Sequence, residues 1–158
     1  MCRRPFVTVI SLAVSSTVLL AQGTSTVRSE IQQFVRAYVN AQNKSDIAAT
    51  MEMVSRKPGV SSVGMGKILR GWDSIRAEVD EGIGSSDHPK MILGTIDVQP
   101  LGTSYGLTVA PFSATFLSPQ GEIQIHGAIT LVVEKSAGKW KVLHEHTSIQ
   151  VPRGPEGD

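Results

Sequence analysis

The chain has 158 residues, which suits one domain and is too short for two full-sized ones. Apolar residues make up 41% and charged residues 18%, so a packed core is possible and a wholly disordered chain is excluded. Lysine and arginine together number 15, against 14 acidic residues. The chain therefore lacks the basic excess of a dedicated nucleic-acid binder. Its single cysteine, Cys2, excludes an internal disulfide and zinc sites built from several thiolates.

The first residues have the pattern of a secretory signal peptide. Arg3 and Arg4 precede an uncharged apolar run at residues 6–21, which is shorter than the ~20 residues of a membrane span. The run ends in Ala21-Gln22-Gly23, which fits the small-x-small pattern of a cleavage site. We therefore predict a signal peptide at residues 1–23, cleaved after Gly23, with Ala21 as the second choice. We expect a secreted or periplasmic protein with no stable membrane span after cleavage. The alternative is an uncleaved N-terminal anchor.

Helical periodicity dominates the first half of the remaining chain. Apolar residues between Val27 and Val39 recur at intervals of three and four, which predicts a first helix. Asp46 is a good N-cap for a second helix, and a third follows Gly71. Residues 60–66, between the second and third helices, predict a brief strand or a turn.

After residue 89 the hydrophobic period changes to two. Four long strands are predicted at residues 90–101, 105–117, 123–135 and 140–151, joined by short polar turns as consecutive antiparallel hairpins. Pro111 within the second of them indicates a bulge or an edge position. Three helices on one side of an antiparallel sheet make an α+β fold. We assign the domain to residues 24–152 and a disordered tail to residues 153–158.

The closing strand carries the most specific motif. It has a turn glycine, Gly138, then Trp140, an aliphatic stretch and His-x-His-x-Ser at positions 144–148. With the end of the first helix (Tyr-Val-Asn-Ala-Gln-Asn-Lys-Ser-Asp-Ile, 38–47), it resembles the SnoaL-like group of the nuclear transport factor two-like superfamily. The resemblance implies a cone: a strongly curved sheet, four long meander strands plus a short one, wraps the helices around a pocket. It also implies dimerisation through the outer sheet face. Activities in the superfamily differ, so the fold alone does not give the function.

The His-x-His-x-Ser segment is the first candidate site. Strict strand alternation places Trp140, Val142, His144, His146 and Ser148 on one face, and the resemblance implies that this face looks into the cone. An imidazole there could act as a general acid or base, and Ser148 could orient a ligand. We therefore predict His144 and His146 as catalytic residues. Alternatively, these groups only hydrogen-bond one another as buried polar groups must.

Tyr38 is the third predicted catalytic residue. Its position resembles that of the oxyanion-binding tyrosine of the steroid isomerases, where a phenol donates a hydrogen bond to a developing enolate. The isomerases also need a carboxylate base, and the matching stretch at residues 60–66 has none. Asp97, the one acid of the first two meander strands, cannot be placed in the pocket from the sequence. Tyr38 could instead be a core residue.

Further side chains are predicted to line the pocket. His126, on the preceding strand, could approach the last strand, but no carboxylate or H-E-x-x-H motif supports a zinc site, so we predict neither metal nor cofactor. Trp72, Met51 and Met65 would form a soft wall for a small apolar molecule. Ordinary core packing is the alternative for each of them.

Two functions are consistent with these residues. One is an exported domain that binds a small apolar ligand and transforms it by acid–base chemistry of the isomerase, cyclase or dehydratase type. The other is a non-catalytic homodimeric module for ligand binding or protein interaction. The missing isomerase base favours the second function, and the His-x-His-x-Ser segment favours the first.

Overall fold

The computed structural model describes residues 15–83, 90–118 and 121–150. The helices are α1 (Ser15–Asn43), α2 (Ile47–Glu52) and α3 (Trp72–Ile83). The strands are β1 (Ser61–Gly64), β2 (Lys67–Arg70), β3 (Lys90–Leu93), β4 (Asp97–Leu101), β5 (Tyr105–Ser118), β6 (Gly121–Ser136) and β7 (Lys139–Ile149). The predicted tail and residues 1–14 of the predicted signal peptide lie outside the described residues. Cleavage after Gly23, a position inside α1, stays a prediction.

The strands form one seven-stranded sheet in the order β2-β1-β7-β6-β5-β3, with β4 also paired to β5. Every pairing is antiparallel except that of β1 with β7. Helices followed by a curved, mostly antiparallel sheet confirm the predicted α+β fold. No helix within the described ranges is both long and apolar enough to cross a membrane.

The first predicted meander strand is wrong, because residues 90–101 form two strands rather than one. β3 and β4 both pair with β5, and the break between them lies opposite Pro111. The Gly94 amide donates to the Pro111 carbonyl at 2.8 Å, but Pro111 has no amide hydrogen to return. The prediction of an irregularity at Pro111 thus applies to the neighbouring strand, which breaks there.

The stretch predicted as one brief strand or turn at residues 60–66 belongs to a hairpin, β1–β2. Its tip contains Met65 and Gly66, both with positive φ (49° and 77°), which tightens the turn. The hairpin stands beside β7 because β1 pairs with it in parallel, from Ser61 opposite His144 to Val63 opposite His146.

The core lies between α1 and one face of the sheet, which we call the inner face. Alternate residues of β6, among them Ile129, Leu131 and Val133, are at most 1% exposed, as are Ile31 and Val35 of α1. Full burial of each such side chain stabilises the fold by about 1.5–3 kcal/mol. The opposite side is the outer face.

Candidate functional site

A β-bulge in β7 decides which side chains of the last strand point inward. Val132 of β6 pairs with His144, but the next residue, Val133, pairs with Val142. Leu143 is therefore the extra residue, and the alternation of β7 restarts after it. Before the bulge Trp140 and Val142 are buried on the inner face, as predicted.

Beyond the bulge the predicted orientation is wrong. His144, His146 and Ser148 pair with Val132, Thr130 and Ala128, which alternate with the buried residues of β6, so all three lie on the outer face. His144 Nδ1 lies 2.9 Å from the Ser61 hydroxyl, and His146 and Ser148 are exposed. The prediction assumed unbroken alternation, and one bulged residue reverses every later side chain.

His126 also lies on the outer face. It pairs with Ser113 and is exposed, beside the break between β3 and β4. The structure therefore brings none of the three predicted histidines to the inner face. Among the residues that the structure describes, no group of three or more His, Cys, Asp and Glu side chains could hold a metal ion.

A cavity of about 290 Å³ lies between the β1–β2 hairpin, α3 and the C-terminal end of α1. Its apolar wall includes Leu69, Ile75, Val79 and Ile83. Its polar end consists of Tyr38, Gln42, Glu145 and Thr147. A mostly apolar lining with a few convergent polar groups is typical of small-molecule sites.

Glu145 and Tyr38 form a hydrogen-bonded pair at the polar end of this cavity. The Tyr38 hydroxyl donates to Glu145 Oε2 at 2.7 Å, and the Thr147 hydroxyl lies 3.5 Å from Oε1. Gln42 hydrogen-bonds to Tyr38 from the next turn of α1. Tyr38 is 2% exposed, whereas Glu145 keeps partial exposure because it borders the cavity.

The surroundings of this pair shift the pKa values of both Glu145 and Tyr38. Burial raises the pKa of Glu145, although the hydrogen bonds from Tyr38 and Thr147 oppose the shift. Burial and the neighbouring Glu145 carboxylate together raise the pKa of Tyr38 well above its ordinary value. Tyr38 is therefore a neutral donor, and Glu145 is the group that can take up and release a proton.

Only some of the other residues predicted to form the pocket line this cavity. Tyr38 and Met65 both line the cavity, Met65 as an exposed residue of the hairpin tip. Trp72 and Met51 do not line it. The Trp72 indole donates to the Met51 carbonyl at 3.3 Å, and Met51 is 2% exposed in the core. Trp72 is the first residue of α3, three residues before Ile75, which lines the cavity, and the Arg56 guanidinium lies over the Trp72 ring.

Sequence reasoning missed Glu145 and Thr147. The one local signal was the pair of adjacent apolar residues Val142 and Leu143, which breaks a strict apolar–polar alternation. Taken as a bulge, this pair turns Glu145 toward the core and supplies the acid that residues 60–66 lack. A carboxylate between two histidines otherwise looks like a solvent-facing residue.

The comparisons with known proteins agree with this architecture. A family model described as SnoaL-like domain matches residues 31–152. A nuclear transport factor 2-like protein from Salmonella enterica superposes with a TM-score of 0.72 at 20% identity, over 85% of this chain and 99% of its own. A protein from Streptomyces avermitilis, provisionally named a dehydratase of the same family, has a TM-score of 0.72 at 15% identity, over 81% and 99%.

A third structure, the CaMKII hub of S. rosetta, has a TM-score of 0.67 at 22% identity and covers 78% of this chain and 96% of its own. At such identities these likenesses show the fold alone. No curated protein sequence is similar enough to the chain to count as a match.

Proposed function

The chain belongs to the family of SnoaL-like domain proteins, and from that premise we propose that it binds a compact, mostly apolar small molecule in the cavity and exchanges a proton with it at Glu145. One observation carries the proposal. Glu145 is a carboxylate held by Tyr38 at the polar end of a mostly apolar cavity. A partly buried acid with a raised pKa, open to a ligand-sized space, is the arrangement expected of a general base.

The proton transfer has a defined balance. The ionised Glu145 carboxylate takes a proton from an acidic O–H or C–H of the ligand, and the electron pair of that bond stays on the ligand. The neutral acid then returns the proton, to the same atom or to another. Return to another atom is an isomerisation, and cyclase or dehydratase chemistry can begin with the same first step. Tyr38 and Thr147 keep the carboxylate oriented throughout.

The test uses 2-naphthol, a rigid two-ring molecule with one hydroxyl, titrated into the full chain by fluorescence. We expect Glu145→Gln to weaken binding by about 10-fold or more, because a hydrogen bond to a charged acceptor contributes about 1.5–3 kcal/mol. Binding to the unaltered protein should strengthen as pH rises through the raised pKa of Glu145, since only the ionised carboxylate accepts the naphthol proton.

His146→Gln is the matched control, because His146 follows Glu145 in the chain but lies on the outer face. It should leave the naphthol affinity unchanged. Equal affinities in the unaltered protein and the Glu145→Gln variant would contradict the proposal. So would a loss of binding that appears only with His146→Gln.

A second proposal concerns the outer face, where we infer that two copies of the chain associate. Several large apolar side chains of this face are 41–70% exposed: Ile92, Ile68, Leu101 and Val109. Their register partners place them on the side opposite the core. These exposed apolar groups lie on the face through which the SnoaL-like resemblance implies a dimer, and both observations support the proposal.

Sedimentation velocity over a range of protein concentrations tests this association. We expect a dimer whose dissociation constant rises at least about 10-fold in Ile92→Lys, because the substitution buries a charge at the interface. Ile123→Lys is the control. Ile123 is 40% exposed, but strand alternation places it on the inner side. A monomer at every concentration, or equal weakening by both variants, would refute the dimer.

A further inference from the structure

An ion pair stands at the mouth of the cavity. Lys67 of β2 reaches across to Glu78 of α3, and its Nζ lies 2.9 Å from each carboxylate oxygen. Both residues line the cavity, yet their side chains are 54% and 38% exposed, so they mark the point where the cavity meets solvent. A ligand that enters beside them passes within reach of both charges.

The charged side chains that line the cavity include more acidic than basic groups. Among the described residues that line the cavity, Lys67 is the one cationic side chain, while Glu78 and Glu145 are both acidic. The hydrogen-bonded Glu78 carboxylate, and to a smaller degree the charge of Glu81, raise the pKa of Lys67. Glu78 engages Lys67 through both carboxylate oxygens, and its negative charge offsets the attraction of the lysine for an anionic ligand.

We propose that this mouth selects against anions, so that the ligand is an uncharged or positively charged apolar compound and not a carboxylate or phosphate. A ligand carboxylate would have to displace Glu78 from Lys67 and would then lie in a cavity that also holds Glu145. Like charges at close range repel each other, and the repulsion grows as less water separates them. A neutral or cationic group meets no such opposition. The inference rests on the proposed ligand site and specifies its chemistry.

Three naphthalene probes of the same ring system test the inference: 2-naphthol, 6-hydroxy-2-naphthoate and 6-(aminomethyl)-2-naphthol. All are titrated into the full chain at pH 7 and low ionic strength. We expect the naphthoate to bind at least about 10-fold more weakly than 2-naphthol, and the ammonium probe to bind at least as tightly as 2-naphthol. High salt should narrow these differences, since the mouth is partly exposed to solvent.

Glu78→Gln frees Lys67 and should tighten naphthoate binding by about two- to fivefold, the range of an exposed ion pair, relative to 2-naphthol binding by the same variant. Glu122→Gln removes an acid that does not line the cavity and serves as the control. If the naphthoate binds as tightly as 2-naphthol, or Glu78→Gln leaves its affinity unchanged, the selectivity is refuted while the proton-transfer site stands. If none of the probes binds, both proposals fall together.

Discussion

Gly127→Ala is expected to lower the free energy of unfolding by about 3 kcal/mol or more. A β-carbon at this position would lie 2.2 Å from the Ser148 carbonyl oxygen and 2.6 Å from the Phe112 ring. The first contact is with the backbone of β7, which is paired to β6 and cannot move away without breaking that pairing. The missing side chain thus allows β6, β7 and Phe112 to approach closely.

The companion variant is Gly59→Ala. A β-carbon at Gly59 would meet nothing within 4 Å, so we expect a change within about 0.5 kcal/mol. Urea unfolding followed by the fluorescence of the two tryptophans, Trp72 and Trp140, measures both variants. If Gly127→Ala unfolds at the same urea concentration as Gly59→Ala, the close approach of the strands at this point is wrong.

Lys57→Met is expected to lower the urea midpoint of unfolding well below that of the unaltered protein, because it leaves Glu134 buried without its counter-charge. Glu134 is 2% exposed, and its carboxylate accepts hydrogen bonds from Lys57 Nζ and, at 2.7 Å, from the Ser55 hydroxyl. The lysine is itself half exposed, so its removal exposes little new apolar surface. The loss therefore comes from the uncompensated carboxylate.

Lys67→Met provides the contrast, since the pair of Lys67 with Glu78 is exposed at both ends and its loss should lower the urea midpoint much less. The double variant Lys57→Met with Glu134→Gln should recover much of the loss, because no buried charge remains. Urea midpoints of the three proteins decide the matter. Equal losses from Lys57→Met and Lys67→Met would mean that the burial of Glu134 is not what makes its partner important.

The local pattern of apolar residues is sufficient to predict most of the helices and strands of this fold. The 3.6-residue stripe from Val27 to Val39 and the change to a period of two after residue 89 each reflect which side of an element is buried. That information is repeated over many residues, so a single irregularity does not erase it. The motif ending in His-x-His-x-Ser was likewise enough to identify the family, which the match over residues 31–152 confirms.

The irregularities of the sheet could be located only from the pairing of neighbouring strands. The sequence predicted an irregularity at Pro111, but the strand that breaks is the neighbouring one, between β3 and β4. Proline has no amide hydrogen, so at this point β5 offers no donor to the strand beside it. The second half of the β1–β2 hairpin was missed for a related reason. A four-residue strand has too few alternations to stand out, and β2 is ordered by pairing with β1.

The candidate site depends on one residue of register. Tyr38 could be proposed from its place on the first helix, but its partner Glu145 could not. With a bulge at Leu143, Glu145 faces inward and the histidines beside it face outward; without the bulge, these orientations would be reversed. A bulge is set by how β6 and β7 fit together, and it leaves only the adjacent pair Val142 and Leu143 as a local trace. Periodicity therefore predicted the elements, and the pairing of two strands decided that a carboxylate, rather than an imidazole, faces the cavity.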